Sequence, residues 1–300
     1  MFDFLTDSLR DALNNLNTNL LYEIRVRANK PTVINYNGRY GFLSWYGFSE
    51  KISEAIVTTY TDIESIIYRA SEYSVYSVTE QLQRGFLTGA GGERIGLAGE
   101  FVYENGSVVT VKEITSINIR IPHQVKGCAD FIFKKCFSET IGSALIVSPP
   151  GRGKTTILRD LTRLIANKYF INILVDDERN EISATSRDFC LDTGPFTDVI
   201  RFSRKKDALS AAVRSMRPDL IITDELVSQE EVSAVCACIR GGVHVIASAH
   251  FKDYESVRQA LMLKEAVNSG CFSKYIILST DQIGKVWQIY DNNNQLIFQS

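Results

Sequence analysis

Leu145-Ile146-Val147-Ser148-Pro149-Pro150-Gly151-Arg152-Gly153-Lys154-Thr155-Thr156 decides how the rest of the chain is read. Leu145 to Val147 form a short continuous apolar run, the pattern of a strand buried on both faces. Gly151 and Gly153 allow a tight backbone turn whose amides converge on an anion. Lys154 follows with a flexible point charge for outer phosphates, and Thr155 with a hydroxyl suited to magnesium. A helix expected from Thr155 to about Ala166 would aim its positive N-terminal end at the same anion. The stretch is a phosphate-binding P-loop in which Ser148 stands where the pattern G-x-x-x-x-G-K-[ST] has its first glycine. Pro150, Gly151, Arg152, Gly153, Lys154, Thr155 and Thr156 are the expected nucleotide-binding residues.

Downstream, three more apolar runs end in chemistry. Ile171 to Val175 runs into Asp176-Asp177-Glu178-Arg179. Acids at the C-terminal edge of a parallel strand beside a P-loop can orient an attacking water, and Glu178 is the first candidate, with Asp177 the alternative. Leu220-Ile221-Ile222-Thr223-Asp224-Glu225 is three aliphatics closing on two acids, a Walker B pattern. Asp224 is expected in the magnesium shell beside Thr155, and Glu225 as the group that polarises water. Val243 to His250 is the next strand, with Ser248 and His250 at its C-terminal end, where a terminal phosphate would be sensed. A lone histidine is otherwise an ordinary packed group, and His244 and His123 are read that way.

The first 124 residues are built differently. Residues 3–20 carry Phe4, Leu5, Leu9, Leu13 and Leu16 at helical spacing. Tyr22 to Arg27 and Thr32 to Tyr36 alternate as a hairpin that places Arg25 and Arg27 on one face. Tyr60–Tyr73 and Val75–Arg84 are expected as helices. The glycines between Gly85 and Gly99 point to a bent sheet with tight turns or to a close approach by another chain. Glu104-Asn105-Gly106 is a hairpin turn, and Ser116 to Arg120 a strand closed by Pro122. Beyond Gln124–Lys126, helices and apolar strands alternate, which argues for a mostly parallel, doubly wound sheet. The expected organisation is a smaller α+β domain over 1–124 and an α/β RecA-like P-loop domain over 125–300.

Composition bounds the rest. The net charge is −2, so no global field draws the chain to nucleic acid or acidic lipid. The six cysteines have no CxxC pair and no metal-ligand spacing, the pattern of reduced thiols in a cytoplasmic protein. Cys236 and Cys238 lie in an apolar helical stretch and read as core. No apolar run approaches the roughly 18 residues of a membrane span, so a membrane role would go through a partner.

The segment Ala212 to Glu225, with its "Arg-Pro-Asp" before the Walker B strand, resembles the RecA-like ATPases of type II and type IV secretion and pilus systems. Asp177-Glu178 resembles their acidic box, and Ser248-Ala249-His250 their histidine box. Glu23–Arg27, Arg84–Thr88, Gly92–Gly99, Ser116–Arg120 and Val175–Ile182 resemble the stage III sporulation AA branch of endospore formers, with Glu93 where histidine is expected. The resemblance implies a mother-cell ATPase that uses ATP and Mg2+ to power a mother cell–forespore transport apparatus. It further implies a ring oligomer, hexameric, docked peripherally under an inner-membrane component of that apparatus, and no nucleic acid. A nucleotide held between subunits needs a positive charge in trans. Arg94 and Arg120 are the candidates, with Arg201, Arg204, Arg214 and Arg217 as alternatives. Two rival readings share the P-loop: a nucleotide-gated scaffold with little turnover, and a nucleic-acid-dependent RecA-like ATPase.

Overall fold

A computed structural model describes residues 2–72, 78–186 and 189–300. The chain forms two compact units. The first is Met1–His123 together with Ala184–Cys190, and the second is Gln124–Ser183 together with Leu191–Ser300. A contiguous division at residue 124 leaves Ala184–Cys190 in the second domain, whereas this segment groups with the first unit.

The first unit holds a seven-stranded sheet. Its strands are β1 (Leu21–Arg27), β3 (Val33–Tyr36), β4 (Arg39–Ser44), β5 (Gly47–Ser49), β7 (Phe86–Thr88), β8 (Arg94–Glu104) and β9 (Ser107–Arg120), in the spatial order β5-β4-β3-β1-β9-β8-β7. A small ladder pairs β2 (Lys30–Pro31) with β6 (Val57–Thr58). All pairs within the large sheet are antiparallel. Alternation puts Ile24, Val26, Ile95, Ile117 and Ile119 on the buried face, under Leu5, Leu9, Ile63 and Ile66. The opposite face carries Glu23, Arg25, Asn118, Arg120 and Arg94.

Four local outcomes differ from the sequence pattern. The helix expected over 3–20 is only Asp7–Leu13, followed by a short 3-10 turn at Thr18–Leu20. Asn17 breaks it: its side chain accepts from Asn19 N at 3.1 Å, offering the backbone a partner outside the helix. The helix expected over Tyr60–Tyr73 is Tyr60–Ala70, started by a Thr59/Asp62 capping box. Of the helix expected over Val75–Arg84, Thr79–Gln83 is helical; Tyr73 and Val75–Ser77 lie outside the described residues. Ser116–Arg120, expected as a separate strand, is the end of the 14-residue β9. A bulge bridges the two parts. A Cβ on Gly99 would meet Lys112 O at 2.5 Å, and Glu113 takes the left-handed φ of 48°.

The glycine-rich stretch makes both a tight turn and a close approach. Gly92 has φ of 78°, and a Cβ there would lie 2.3 Å from Ala184 O. The neighbour is thus the returning segment of the same chain. Ser186 Oγ donates to Ala90 O across the same contact. At its base the segment is closed by Leu191 N donating to Ser183 O at 2.8 Å.

The second unit is an eight-stranded sheet between two apolar layers. Its strands are β10 (Ala144–Val147), β11 (Ile173–Asp177), β12 (Thr197–Arg201), β13 (Leu220–Leu226), β14 (His244–Ala249), β15 (Lys274–Leu278), β16 (Val286–Asp291) and β17 (Leu296–Gln299). The order is β12-β11-β13-β14-β10-β15-β16-β17, parallel from β12 to β15, with β16 and β17 added antiparallel at one edge. Leu145, Val147, Ile221 and Val245 face one layer, with Val232 and Val235 of the helix Gln229–Arg240. Ala144, Ile146, Ile222 and Ile246 face the other, with Ile157, Leu158 and Leu161 of the helix Lys154–Tyr169. Burial on both faces explains the unbroken apolar runs of the sequence. This is an α/β fold with a parallel-rich sheet. Cys236 and Cys238 are buried in the core, and all six cysteines are free. Among the described residues no helix is long and apolar enough to cross a membrane.

Candidate functional site

Four neighbouring parallel strands, β11, β13, β14 and β10, end on the same edge of the second sheet, the edge at which open parallel sheets bind ligands. The loop after β10 is the first element of the site. Gly151 and Gly153 have φ of 72° and 88°, left-handed values that other residues rarely adopt. No heavy atom lies within 4 Å of a Cβ built on Gly151, which leaves the loop open on that side. Gly153 is the N-cap of the helix Lys154–Tyr169, no side chain caps it, and no acid occupies its first turn. Among the described residues its N-terminal end is thus left without a side-chain cap, as an anion site requires. Pro150 has no N–H to offer and contributes a fixed φ instead.

Lys154 is buried, and its ammonium is folded back onto the loop. Nζ lies 2.9 Å from Ser148 O, 3.1 Å from Pro149 O and 3.2 Å from Ser148 Oγ, so its three protons are shared among these oxygens and a ring nitrogen. It also lies 2.9 Å from His250 Nδ1. Burial lowers the pKa of Lys154, and the Asp224 and Glu225 carboxylates counter this only in part. An ammonium can only donate, so His250 Nδ1 accepts and the imidazole is neutral with its proton on Nε2. That Nε2 donates to Glu225 Oε1 at 2.9 Å. The other Glu225 oxygen, Oε2, is 2.7 Å from the Arg179 guanidinium. Burial alone would raise the Glu225 carboxyl. The hydrogen bond from His250 and the charge of Arg179 outweigh it, and its pKa is lowered.

Glu225 reaches this position because β13 is bulged. The register with β14 shifts between Thr223 and Leu226, and Glu225 itself takes φ of 41°. A bulge re-aims a side chain at a strand end, and a non-glycine residue in that region stores strain. Asp224, just before it, accepts from Thr155 Oγ1 at 2.8 Å on Oδ2. On Oδ1 it accepts from the Ser248 hydroxyl and from Glu225 N at 2.9 Å. Thr155 and Asp224 thus present adjacent hard oxygen donors at the loop mouth, a set that suits Mg2+.

The acidic turn after β11 divides its carboxylates. Asp177, fully buried, accepts from Glu181 N, Ile182 N, Ser183 N and Ser183 Oγ at 2.7–3.1 Å, which fills both its oxygens. It holds the turn together, whereas Glu178 is partly exposed. Both acids line a cleft with Arg179, Lys205, Asp224 and Glu225. Behind them Asp176 is completely buried. Thr223 Oγ1 donates to it at 2.8 Å, and Lys205 Nζ stands 3.8 Å away. Burial pushes the Asp176 carboxyl up to about 6 against those two influences.

The expected residues Lys154, Thr155, Asp224, Glu225, Ser248 and His250 therefore meet in one hydrogen-bonded group, with Glu178 in the adjoining cleft. Ser248 is buried and bonded to Asp224 and Glu225 N, so its hydroxyl braces these two acids. Arg179 and Lys205 join the site without a motif of their own. Arg179 at least follows the two acids directly; Lys205 opens the helix Lys205–Ala211 and has no local signature. Arg94 and Arg120 belong to the first unit. They are register partners on β8 and β9, and Arg120 is also opposite Glu23 on β1, so the three charges form one row across the sheet. The Arg94 guanidinium lies 4.4 Å above the Phe86 ring.

Loop, bulged acidic strand and parallel sheet together define a P-loop protein of the secretion-ATPase fold. Two solved structures share that fold. The ATPase DotB of Legionella pneumophila superposes with a TM-score of 0.63 at 14% identity, covering 93% of this chain and 79% of that one. The pilus retraction motor PilT, solved with ADP, gives 0.59 at 17%, covering 86% and 74%. The chain belongs to the family described as sporulation stage III, protein AA, which it matches over residues 1–297. A curated relative, stage III sporulation protein AA of Bacillus subtilis (strain 168), is 33% identical over 304 residues, covering 98% of this chain and 95% of the relative.

Proposed function

We propose that this protein hydrolyses ATP to ADP and phosphate and couples the reaction to movement, as a secretion-type motor in sporulation. One observation carries the reading. The ends of β10, β14 and β13 are joined through Lys154, His250 and Glu225 into a single chain of hydrogen bonds, from the phosphate loop to the acid that would face water. Such a chain lets the state of the loop reach the acid across three strands. Lys154 and the amides of Gly151 to Thr156 would hold phosphate oxygens, with Pro150 and Arg152 shaping the loop. Thr155 and Asp224 would hold Mg2+, which neutralises charge on the transferring phosphoryl group. Glu225 would orient water, Glu178 would assist from the cleft, and His250 would report a terminal phosphate. Arg120, or Arg94 beside it, would supply the positive charge in trans within a ring, taken as a hexamer.

The fold relatives support this reading by name, one an ATPase and one a retraction motor with ADP. Family membership supports a site of action in the mother-cell cytoplasm. There the ring would dock at the membrane through an inner-membrane component of the mother cell–forespore transport apparatus. One observation favours a slower, nucleotide-gated scaffold: Lys154 also bonds Ser148 Oγ, an acceptor that glycine would not provide.

Steady-state ATPase assays on the chain alone, with single-stranded DNA and with the membrane partner test the reading. Turnover that rises with the membrane partner and not with DNA is the expected result. Turnover that needs DNA would replace it with a nucleic-acid-dependent ATPase. Nucleotide binding with no turnover under all three conditions would leave the scaffold.

A further inference from the structure

Both carboxylate oxygens of Glu225 are engaged. His250 Nε2 donates to Oε1 at 2.9 Å, and the Arg179 guanidinium sits on Oε2 at 2.7 Å. Each carboxylate oxygen thus already holds one donor, and the two bonds together fix the orientation of the carboxylate. The two partners differ in how they are held. His250 lies inside the hydrogen-bonded group that ends at Lys154. Arg179 is more than half exposed, at 57%, on the turn that follows β11. The turn itself is rigid: Asn180 N donates to Asp177 O at 3.0 Å, and Asp177 is anchored by four further bonds. The backbone of Arg179 is therefore fixed while its guanidinium reaches Glu225 through a flexible, solvated stem.

We infer that Arg179 is a positioning residue: a latch that holds the Glu225 carboxylate in a resting arrangement until another anion draws the guanidinium away. This rests on the reading of Glu225 as the acid that orients water. An exposed ion pair is weak enough to open, and a planar guanidinium pairs readily with phosphate oxygens. The triphosphate end of the substrate is the anion whose arrival in the cleft would release Oε2. The latch then opens only when there is a bond to hydrolyse. With substrate absent, Arg179 holds the Glu225 carboxylate in this bonded orientation.

The test uses the full chain with Arg179→Ala and Arg179→Lys, a fluorescent ATP analogue for affinity, and kcat and KM measured separately. With Arg179→Ala, kcat should rise about two- to fivefold, the scale of an exposed ion pair, while KM and the affinity for the analogue move less. Arg179→Lys keeps the charge and should fall between wild type and Arg179→Ala. A fall in kcat overturns the latch and makes Arg179 a group that acts on the phosphates. An unchanged kcat overturns it equally. Failure of the underlying reading looks different: Glu225→Gln would then match wild type in turnover, whatever Arg179 does.

Discussion

Lys154 Nζ and His250 Nδ1 lie 2.9 Å apart, at the ends of two adjacent parallel strands, and each defines the state of the other. The ammonium can only donate, so the imidazole must accept. The imidazole accepts only while neutral, so its remaining proton is directed at Glu225. Drawing Lys154 onto a phosphate would remove that constraint.

Lys154→Ala should weaken ATP binding and abolish hydrolysis. It should also cost little stability, because the ammonium is held by loop carbonyls and not by the apolar core. Isothermal titration with ATP and a denaturant melt check both. Normal turnover in this variant would sink the P-loop assignment.

Glu225→Gln should bind ATP and hydrolyse it at least about a hundredfold more slowly, the lower range for loss of a positioned base. Glu178→Gln should fall short of that, since Glu178 lies 3.7 Å from Lys205 and outside the Lys154–His250–Glu225 chain. Single-turnover assays on both variants decide the roles, and the reverse ranking would exchange them.

Asp176 gives a pH signature in stability. Its carboxyl is pushed up to about 6 from an ordinary value of 3.8. Between those values the folded chain binds more protons than the unfolded chain, so stability falls as pH rises through the window and is level above it. The span corresponds to at most about 3 kcal/mol. Asp176→Asn cannot ionise and should lose this contribution. The difference in melting temperature between variant and wild type should therefore grow from about pH 4 to about pH 6. A difference independent of pH would mean that Asp176 titrates ordinarily.

Ser148→Gly should leave nucleotide affinity within about tenfold, a change of roughly 1.4 kcal/mol. Ser148 is wholly buried at the end of β10, and its hydroxyl donates to Pro149 O at 3.0 Å, away from the amides of Gly151 to Thr155. A gain of several hundredfold in a binding titration would favour the scaffold reading.

Arg120→Ala should keep ATP binding yet lower hydrolysis about 10³-fold, the scale of a missing arginine finger. Because each defective chain would disable a neighbour's site, mixtures with wild type should lose more activity than dilution predicts. Activity that merely follows the wild-type fraction would argue for independent subunits and against the ring.

The second unit was legible because its chemistry and its fold share one signal. Apolar runs buried on both faces mark the strands, and the residues that end them, Lys154, Asp224, Glu225 and His250, arrive at one sheet edge by topology alone. What stayed hidden depends on geometry that spacing does not encode. The bulge that turns Glu225 out of β13 leaves no mark in Leu220–Glu225. Asp177 is set apart from Glu178 by four local hydrogen bonds, and adjacent acids look alike in a sequence. In the first unit, Asn17 ended a helix that the leucine spacing would have continued. The glycine stretch signalled a close approach, but its partner at Ala184 is far away in the chain.

That partner has a consequence for taking the protein apart. The backbone passes from one unit to the other after His123, again after Ser183 and again after Cys190. A protease that nicks once near Gln124 would leave the halves tethered, because the C-terminal piece still owns the segment that fits against Gly92. Expressing residues 1–123 alone would strip that segment away and leave its seat on the glycine turn bare. The two units are thus interleaved along the chain, and a clean excision of the first needs Ala184–Cys190 spliced back onto it.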